Sequence, residues 1–190
     1  MLVAPAQVAI ADGNAKQGAV IGYSCLGCHG IDGYRNAYPS YRVPKLGGQK
    51  REYIEGALAA YRDGKRKHPT MQAQGGSLSD ADLDDVAAWL EGYGEVADAA
   101  TAESAAGIDA ATTCLQCHGK DAAAVVPTPA TLSGQHADYL VHALNQYKNG
   151  TRSGTVMTAF ASTLSADDIK AVAKYFSTLP GLFTTKVEGE

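Results

Sequence analysis

Cys25-Leu26-Gly27-Cys28-His29 sets two thiols at a Cys-x-x-Cys spacing with an imidazole directly after the second. Cys114-Leu115-Gln116-Cys117-His118 repeats the arrangement, and the two stretches use all four cysteines of the chain. Such a run reads as a c-type haem attachment site: the two thiols add to the vinyl groups of one porphyrin, and the histidine is set under the iron as an axial ligand. A bare Cys-x-x-Cys pair also occurs in redox dithiols and in halves of zinc sites. Against a dithiol stand the histidine after both pairs and the lack of a surrounding β-α-β pattern. A four-cysteine zinc site would leave both histidines without a role. Two covalently attached haem c groups are therefore expected, held by Cys25 and Cys28 and by Cys114 and Cys117, with His29 and His118 on the two irons.

Each repeat also offers a candidate for the opposite face of its iron. Apart from Met1, the only methionines are Met71 and Met157, 42 residues after His29 and 39 after His118. A methionine is commonly core filler, but a thioether is a soft ligand and His/Met ligation raises a haem's potential. Both methionines are expected as axial ligands. His68 is the rival at the first iron, or else a surface residue of a Lys-Arg-Lys-His run; the second repeat has Gly154 at its position. His136 and His142 have no histidine counterparts and read as surface or packing residues. A ligating histidine usually donates its other ring N–H to an acceptor, and the carbonyl of Pro44, and of Pro127 or Pro129, could serve; a rigid turn is the other reading of those prolines. Arg66 and Arg152, with Gln49 and Gln135, are candidates for bonds to haem propionates, for bonds between domains, or for solvated surface.

These residues need elements to hold them, and the chain supplies the same set twice. At an offset of 86, Leu46-Gly47-Gly48-Gln49 matches Leu132-Ser133-Gly134-Gln135; Tyr53, Tyr61, Gly64, Arg66 and Met71 match Tyr139, Tyr147, Gly150, Arg152 and Met157. The haem motifs are offset by 89, so the first repeat carries three extra residues, placed at Tyr34–Tyr41. In each repeat a first helix (about Asn14–Tyr23, Ala102–Thr113) leads into the motif. A second (about Gln49–Asp63, Gln135–Asn149) has apolar residues at helical spacing and stops at Gly64 or Gly150. A less regular segment carries the methionine. A last helix starts at an N-cap serine, Ser79 or Ser165, and Trp89 and Tyr175 on it should pack against the first helix of their own repeat. The chain is expected to be all-α: 1–13 an N-terminal extension or signal remnant, 14–94 the first domain, 95–101 a linker, and 102–190 the second domain.

Composition narrows the function classes. With 16 Lys+Arg against 20 Asp+Glu, the net charge of −4 argues against nucleic acid as a partner, and no apolar run is long enough to span a bilayer. Lys45, Lys50, Arg51, Arg62, Lys65, Arg66 and Lys67 lie close together in the first half, which suggests a basic face for an acidic partner.

The order Cys-x-x-Cys-His-Gly, Leu-x-Gly-Gln-x-x-x-Tyr, aromatic, Gly-x-Arg, Met and Leu-Ser-x-x-Asp, repeated from Asn14 to Leu179, resembles the dihaem cytochrome c4 family. That resemblance implies two tandem class I cytochrome c domains about a pseudo-two-fold axis, with propionates near the interface. It implies export to the periplasm and transfer of single electrons between an electron donor complex and a terminal oxidase or reductase. No small-molecule substrate, no enzymatic activity, and at most peripheral membrane association go with it. The cytochrome subunit of flavocytochrome c sulfide dehydrogenases has a similar two-haem architecture and is the alternative.

Overall fold

The Asn14 side chain accepts the backbone N–H groups of Lys16 and Gln17 at 3.1 and 3.2 Å, and this cap starts α1 (Ala15–Ile21). A 3-10 turn (Gly22–Cys25) carries the chain into the short α2 (Leu26–His29), so the first haem motif is helical throughout. α3 (Arg51–Arg62), α4 (Pro69–Gly76) and α5 (Asp80–Glu91) complete the first domain. The second runs through α6 (Asp109–His118), α7 (Ala137–Lys148), α8 (Met157–Thr163) and α9 (Ala166–Thr178). The structure, a computed structural model, describes residues 13–93, 108–119, 128–152 and 156–186. The expected linker 95–101, residues 1–12 of the N-terminal extension, the start of the second domain's first helix, Pro127 and Gly154 lie outside these. Among the described residues the only β pairing is two isolated bridges, Arg35 with Arg42 and Gly47 with Phe183.

Local chemistry accounts for the helix ends. Ser79 and Ser165 each accept the backbone N–H of Asp82 or Asp168, and those carboxylates accept in return from the serine N–H, a full capping box at the start of α5 and of α9. α3 and α7 end at Gly64 (φ +71) and Gly150 (φ +75), left-handed positions that suit glycine. One expectation is corrected. The methionine-bearing segments are helices, α4 and α8, rather than irregular chain. Pro69 occupies the first helical position of α4, where its fixed φ is already helical and no N–H is missed.

Each domain closes on its own core. α1 packs across α5, and α3 packs on α4 and α5 around Ile54, Leu58, Leu83, Val86, Ala87 and Leu90. α7 packs on α8 and α9, and α6 on α9, around Leu140, Leu144, Ile169, Val172 and Phe176. The α1–α5 crossing is close enough to require glycine at Gly18, where an added Cβ would lie 1.9 Å from the Asp85 carbonyl oxygen. Trp89 lies over Gly22 at the end of α1, and Tyr175 shares its core with Ala111 of α6, as the repeat pattern predicts.

The two domains meet through reciprocal bonds. Gln49 donates to Thr131 O (3.1 Å) and accepts from Thr131 N (2.8 Å); Gln135 donates to Lys45 O (3.0 Å) and accepts from Lys45 N (3.0 Å). Lys45 and Thr131 are themselves repeat equivalents, so one set of bonds is the other turned by a half-rotation. Both glutamines are buried. Replacing Gln49 with alanine leaves a backbone donor and acceptor of Thr131 without partners. The expected cost is about 2–4 kcal/mol, read by urea unfolding of the holo-protein. Gln135→Ala should match it, because it does the same to Lys45.

Beyond α9 the chain returns to the first domain. Leu182 N still bonds within the second domain, donating to Ser133 O (2.8 Å); Phe183 then pairs with Gly47 in both directions (3.1 and 3.2 Å), and Thr185 is fully buried beside Gly30. Lys186 reaches Asp32 at 3.6 Å.

Candidate haem sites

The last turn of α2 and of α6 delivers His29 and His118. His29 Nδ1 lies 2.8 Å from Pro44 O and His118 Nδ1 lies 2.7 Å from Ala130 O. A carbonyl can only accept, so in both rings the proton sits on Nδ1 and the Nε2 lone pair is left for a metal. Burial lowers both histidine pKa values, which favours the neutral ring a ligand needs. The Pro44 reading holds. In the second repeat the acceptor is Ala130 rather than Pro127 or Pro129, because the carbonyl that matters is set by repeat position, and 130 is 44 carried forward by the offset of 86.

All four cysteines are free and half-buried. Burial pushes the Cys25 and Cys114 thiols up, opposite to the lowered pKa of a reactive dithiol. Among the described residues no group of His, Cys, Asp and Glu could hold a bare metal ion. Met71 packs against the core of the first domain; Met157 packs against that of the second, together with Cys114 and Leu115. Next to Met157, Thr158 Oγ1 is buried with no hydrogen-bond partner among the described residues. A buried hydroxyl left over beside a thioether, and two imidazoles with Nε2 unused, fit a porphyrin in each domain.

His68, the rival ligand, has both ring nitrogens occupied. Nδ1 accepts the Met71 backbone N–H at 3.3 Å, which puts the proton on Nε2, and Nε2 lies 3.1 Å from Asn36 Oδ1. It is the N-cap of α4. The sequence carried one signal for this, a polar residue directly before a helix-starting proline, which a reading centred on the basic run passes over.

Arg66 and Arg152 are buried. The chain turns back after Gly64 and Gly150, and each guanidinium lies 4.5 Å over the ring five residues earlier, Tyr61 or Tyr147. Each then crosses the interface: Arg66 donates to Tyr139 Oη (2.7 Å) and Arg152 to Tyr53 Oη (3.2 Å). Of the readings open at the outset, bonds between domains are what the structure shows. Neither cation is ion-paired with a carboxylate among the described residues. Burial alone would raise the Tyr53 pKa, but Arg152 and Arg66 beside it bring it down to about 7.

Five of the seven cations of the run 45–67 are engaged by the fold, which thins the expected basic face. Arg51 pairs with Asp84, Arg62 with Asp80 (2.8 Å) and Lys65 with Asp63 (3.1 Å); Arg66 is interior, and the Lys45 ammonium donates to Gly134 O (2.7 Å). Asp63 lies within the run itself, while the packing of α5 on α3 brings Asp80 and Asp84 to it from further along the chain. His142 stacks on Tyr41 at 3.9 Å. His136 is desolvated and faces Arg42 and Lys45, which lowers its pKa from 6.5 to about 4. A depressed histidine stays neutral in the fold while the unfolded chain takes up a proton. Stability is therefore expected to fall as pH drops from about 6.5 towards 4, and His136→Gln should flatten that part of a stability–pH curve.

Comparison with known proteins agrees with this geometry. Residues 13–90 and 100–176 each match the family described as Cytochrome C oxidase, cbb3-type, subunit III. Cytochrome c4 of Pseudomonas aeruginosa is 31% identical, over 90% of this chain and 92% of its own. The thiosulfate dehydrogenase electron acceptor of Stutzerimonas stutzeri is 33% identical, over 81% of this chain and 78% of its own. Among solved structures, cytochrome c4 of Acidithiobacillus ferrooxidans superposes with a TM-score of 0.64 at 29% identity, covering 83% of this chain and 99% of its own. Thiosulfate dehydrogenase (TsdBA) of Marichromatium purpuratum gives a TM-score of 0.70 at 28% identity over 87% of this chain; the match spans only 40% of that longer protein. The fold is thus a tandem pair of class I cytochrome c domains, all-α and related by a pseudo-two-fold axis, with two covalently bound haem c groups and electron transfer as its work. The chain belongs to the dihaem cytochrome c4 family.

Proposed function

We propose that the chain is a periplasmic carrier passing single electrons between redox proteins through two His/Met-ligated haems, with no catalysis of its own. The observation that carries this is the matched pair of imidazoles. His29 and His118 are each fixed through Nδ1 with Nε2 unused, in domains that each hold one methionine against the core. Cys25 and Cys28 tether the first haem and Cys114 and Cys117 the second; Met71 and Met157 complete the ligand sets. When bound, the haems supply reversible one-electron chemistry at iron. The Pro44 and Ala130 carbonyls hold the imidazole planes and raise their basicity. The thioethers close each site to exogenous ligands. The buried Arg66 and Arg152 place positive charge at the domain interface, where propionates need it. No helix among the described residues is long and apolar enough to cross a membrane.

The donor we infer is a thiosulfate dehydrogenase, since similar chains are named as its electron acceptor and one similar structure bears that enzyme's own name. The electron then passes towards a terminal oxidase. Mixing the oxidised holo-protein with a thiosulfate dehydrogenase and thiosulfate in a stopped-flow spectrometer should reduce both haems within the enzyme's turnover time. Reduction no faster than with thiosulfate alone would remove this donor. Service as a subunit of a larger dehydrogenase is the second reading, favoured by the match to only part of the Marichromatium chain; co-purification of the native protein with a partner would establish it.

A further inference from the structure

The three extra residues of the first repeat belong to a hairpin that lies against the other domain. Asn36 N donates to Tyr41 O (2.9 Å) and Val43 N to Tyr34 O (2.8 Å), closing the hairpin. Its outer face reaches α7. Arg35 pairs with Asp138 at 3.0 Å, Arg42 pairs with the same carboxylate through Nε at 3.0 Å and also donates its backbone N–H at 3.2 Å, and Tyr41 stacks on His142. Its inner face reaches the first haem site, because Asn36 holds His68, and His68 caps α4 at the backbone of Met71 itself. The second repeat lacks the extra residues and has glycine at the position of His68.

We infer that the hairpin Tyr34–Val43 is a clasp through which the second domain sets the position of Met71, with His68 as the positioning residue. The inference rests on Met71 being the sixth ligand of the first haem. An N-cap fixes the first turn of a helix through the backbone N–H it accepts, and the N–H it accepts here belongs to the ligand. The ring is then held from behind by Asn36, so the register of α4 follows the hairpin. The hairpin in turn follows Asp138 and His142. The first haem is thus mechanically referred to the second domain, through a hairpin length and a histidine that the second repeat's sequence does not have.

The test uses reduced holo-protein and carbon monoxide, which must displace a methionine to bind. In His68→Ala the binding rate at one haem should rise about tenfold while the other haem keeps the wild-type rate. Asn36→Ala and Asp138→Ala, which leave the cap residue in place but free it from the second domain, should accelerate the same single phase to a smaller extent. His68→Asn replaces one good cap with another that is too short to reach Asn36, and should return most of the His68→Ala loss. Equal acceleration at both haems, or no acceleration in His68→Ala, overturns the inference. So does a silent Asp138→Ala, since then the cap acts without the clasp. Met71→Ala separates this from the ligation reading: if it leaves the far-red methionine–iron band of the oxidised protein undiminished, Met71 is not a ligand at all, whereas a band halved by Met71→Ala together with an unresponsive His68→Ala removes only the clasp.

Discussion

Met71→Ala and Met157→Ala should each open one iron and leave the other closed. Each variant is expected to lose about half of the far-red absorption that a methionine–iron bond gives the oxidised protein, because each haem contributes one such bond. Each should bind carbon monoxide at one haem when reduced. The altered haem should fall in potential by on the order of 0.1 V or more, since axial ligands are the main lever on a range of about 0.8 V. The two variants should affect different steps of a redox titration. A titration in which both variants shift the same step would contradict one methionine per haem. Both methionines pack on the cores of separate domains, so each domain should otherwise stay folded.

Gly18→Val is expected to be the most damaging single change to the first domain. The Cβ of any other residue would stand 1.9 Å from Asp85 O, 2.5 Å from its carbon and 2.9 Å from Trp89 Cβ. Two of these atoms are backbone of α5 and cannot swing away, so α1 must lift from the helix it crosses. Overpacking of a rigid contact costs about 3 kcal/mol or more. Since α1 leads directly into Cys25 and Cys28, haem attachment in the first domain should fall with it. The measurement is the haem-to-protein ratio by pyridine haemochrome, expected near one in place of two, together with denaturant unfolding. Gly56→Ala is the control. It lies inside α3 with nothing within 4 Å of its Cβ, and should be neutral or stabilising by about 0.5–1 kcal/mol.

Much of this was legible in the chain because it depends on local rules or on repetition. The serine caps of α5 and α9, the glycine stops after α3 and α7, and the all-α fold follow from residue types a turn apart. The roles proposed for Met71 and Met157 came from register: two methionines displaced by the same three residues as the loops before them. What the sequence hid depends on which atoms meet across the fold. Ala130 was within reach of the offset that pairs it with Pro44, but its side chain has no part in the bond and nothing local marks it as an acceptor. The basic run 45–67 looks like a surface charge cluster until the fold brings Asp80 and Asp84 to it and turns Arg66 inward. His68 was ambiguous for the same reason: its partner Asn36 lies 32 residues away in a hairpin the repeat pattern shows only as extra length.

The bonds of Gln49 and Gln135 reach further than holding two halves of one chain together. A contact in which i meets j while the equivalent of j meets the equivalent of i is the arrangement of two identical subunits about a dyad. Here Gln49 and Gln135, Lys45 and Thr131, Arg66 and Arg152, and Tyr53 and Tyr139 all obey it. The polypeptide thus has, within one chain, the contact pattern of a homodimer. A single domain carrying that glutamine, arginine and tyrosine would hold every side chain these contacts require. Carrying both copies in one polypeptide makes the pairing independent of concentration. It also lets the halves differ, so that three extra residues stand on one side only and two electron sites alike in ligands form an ordered pair.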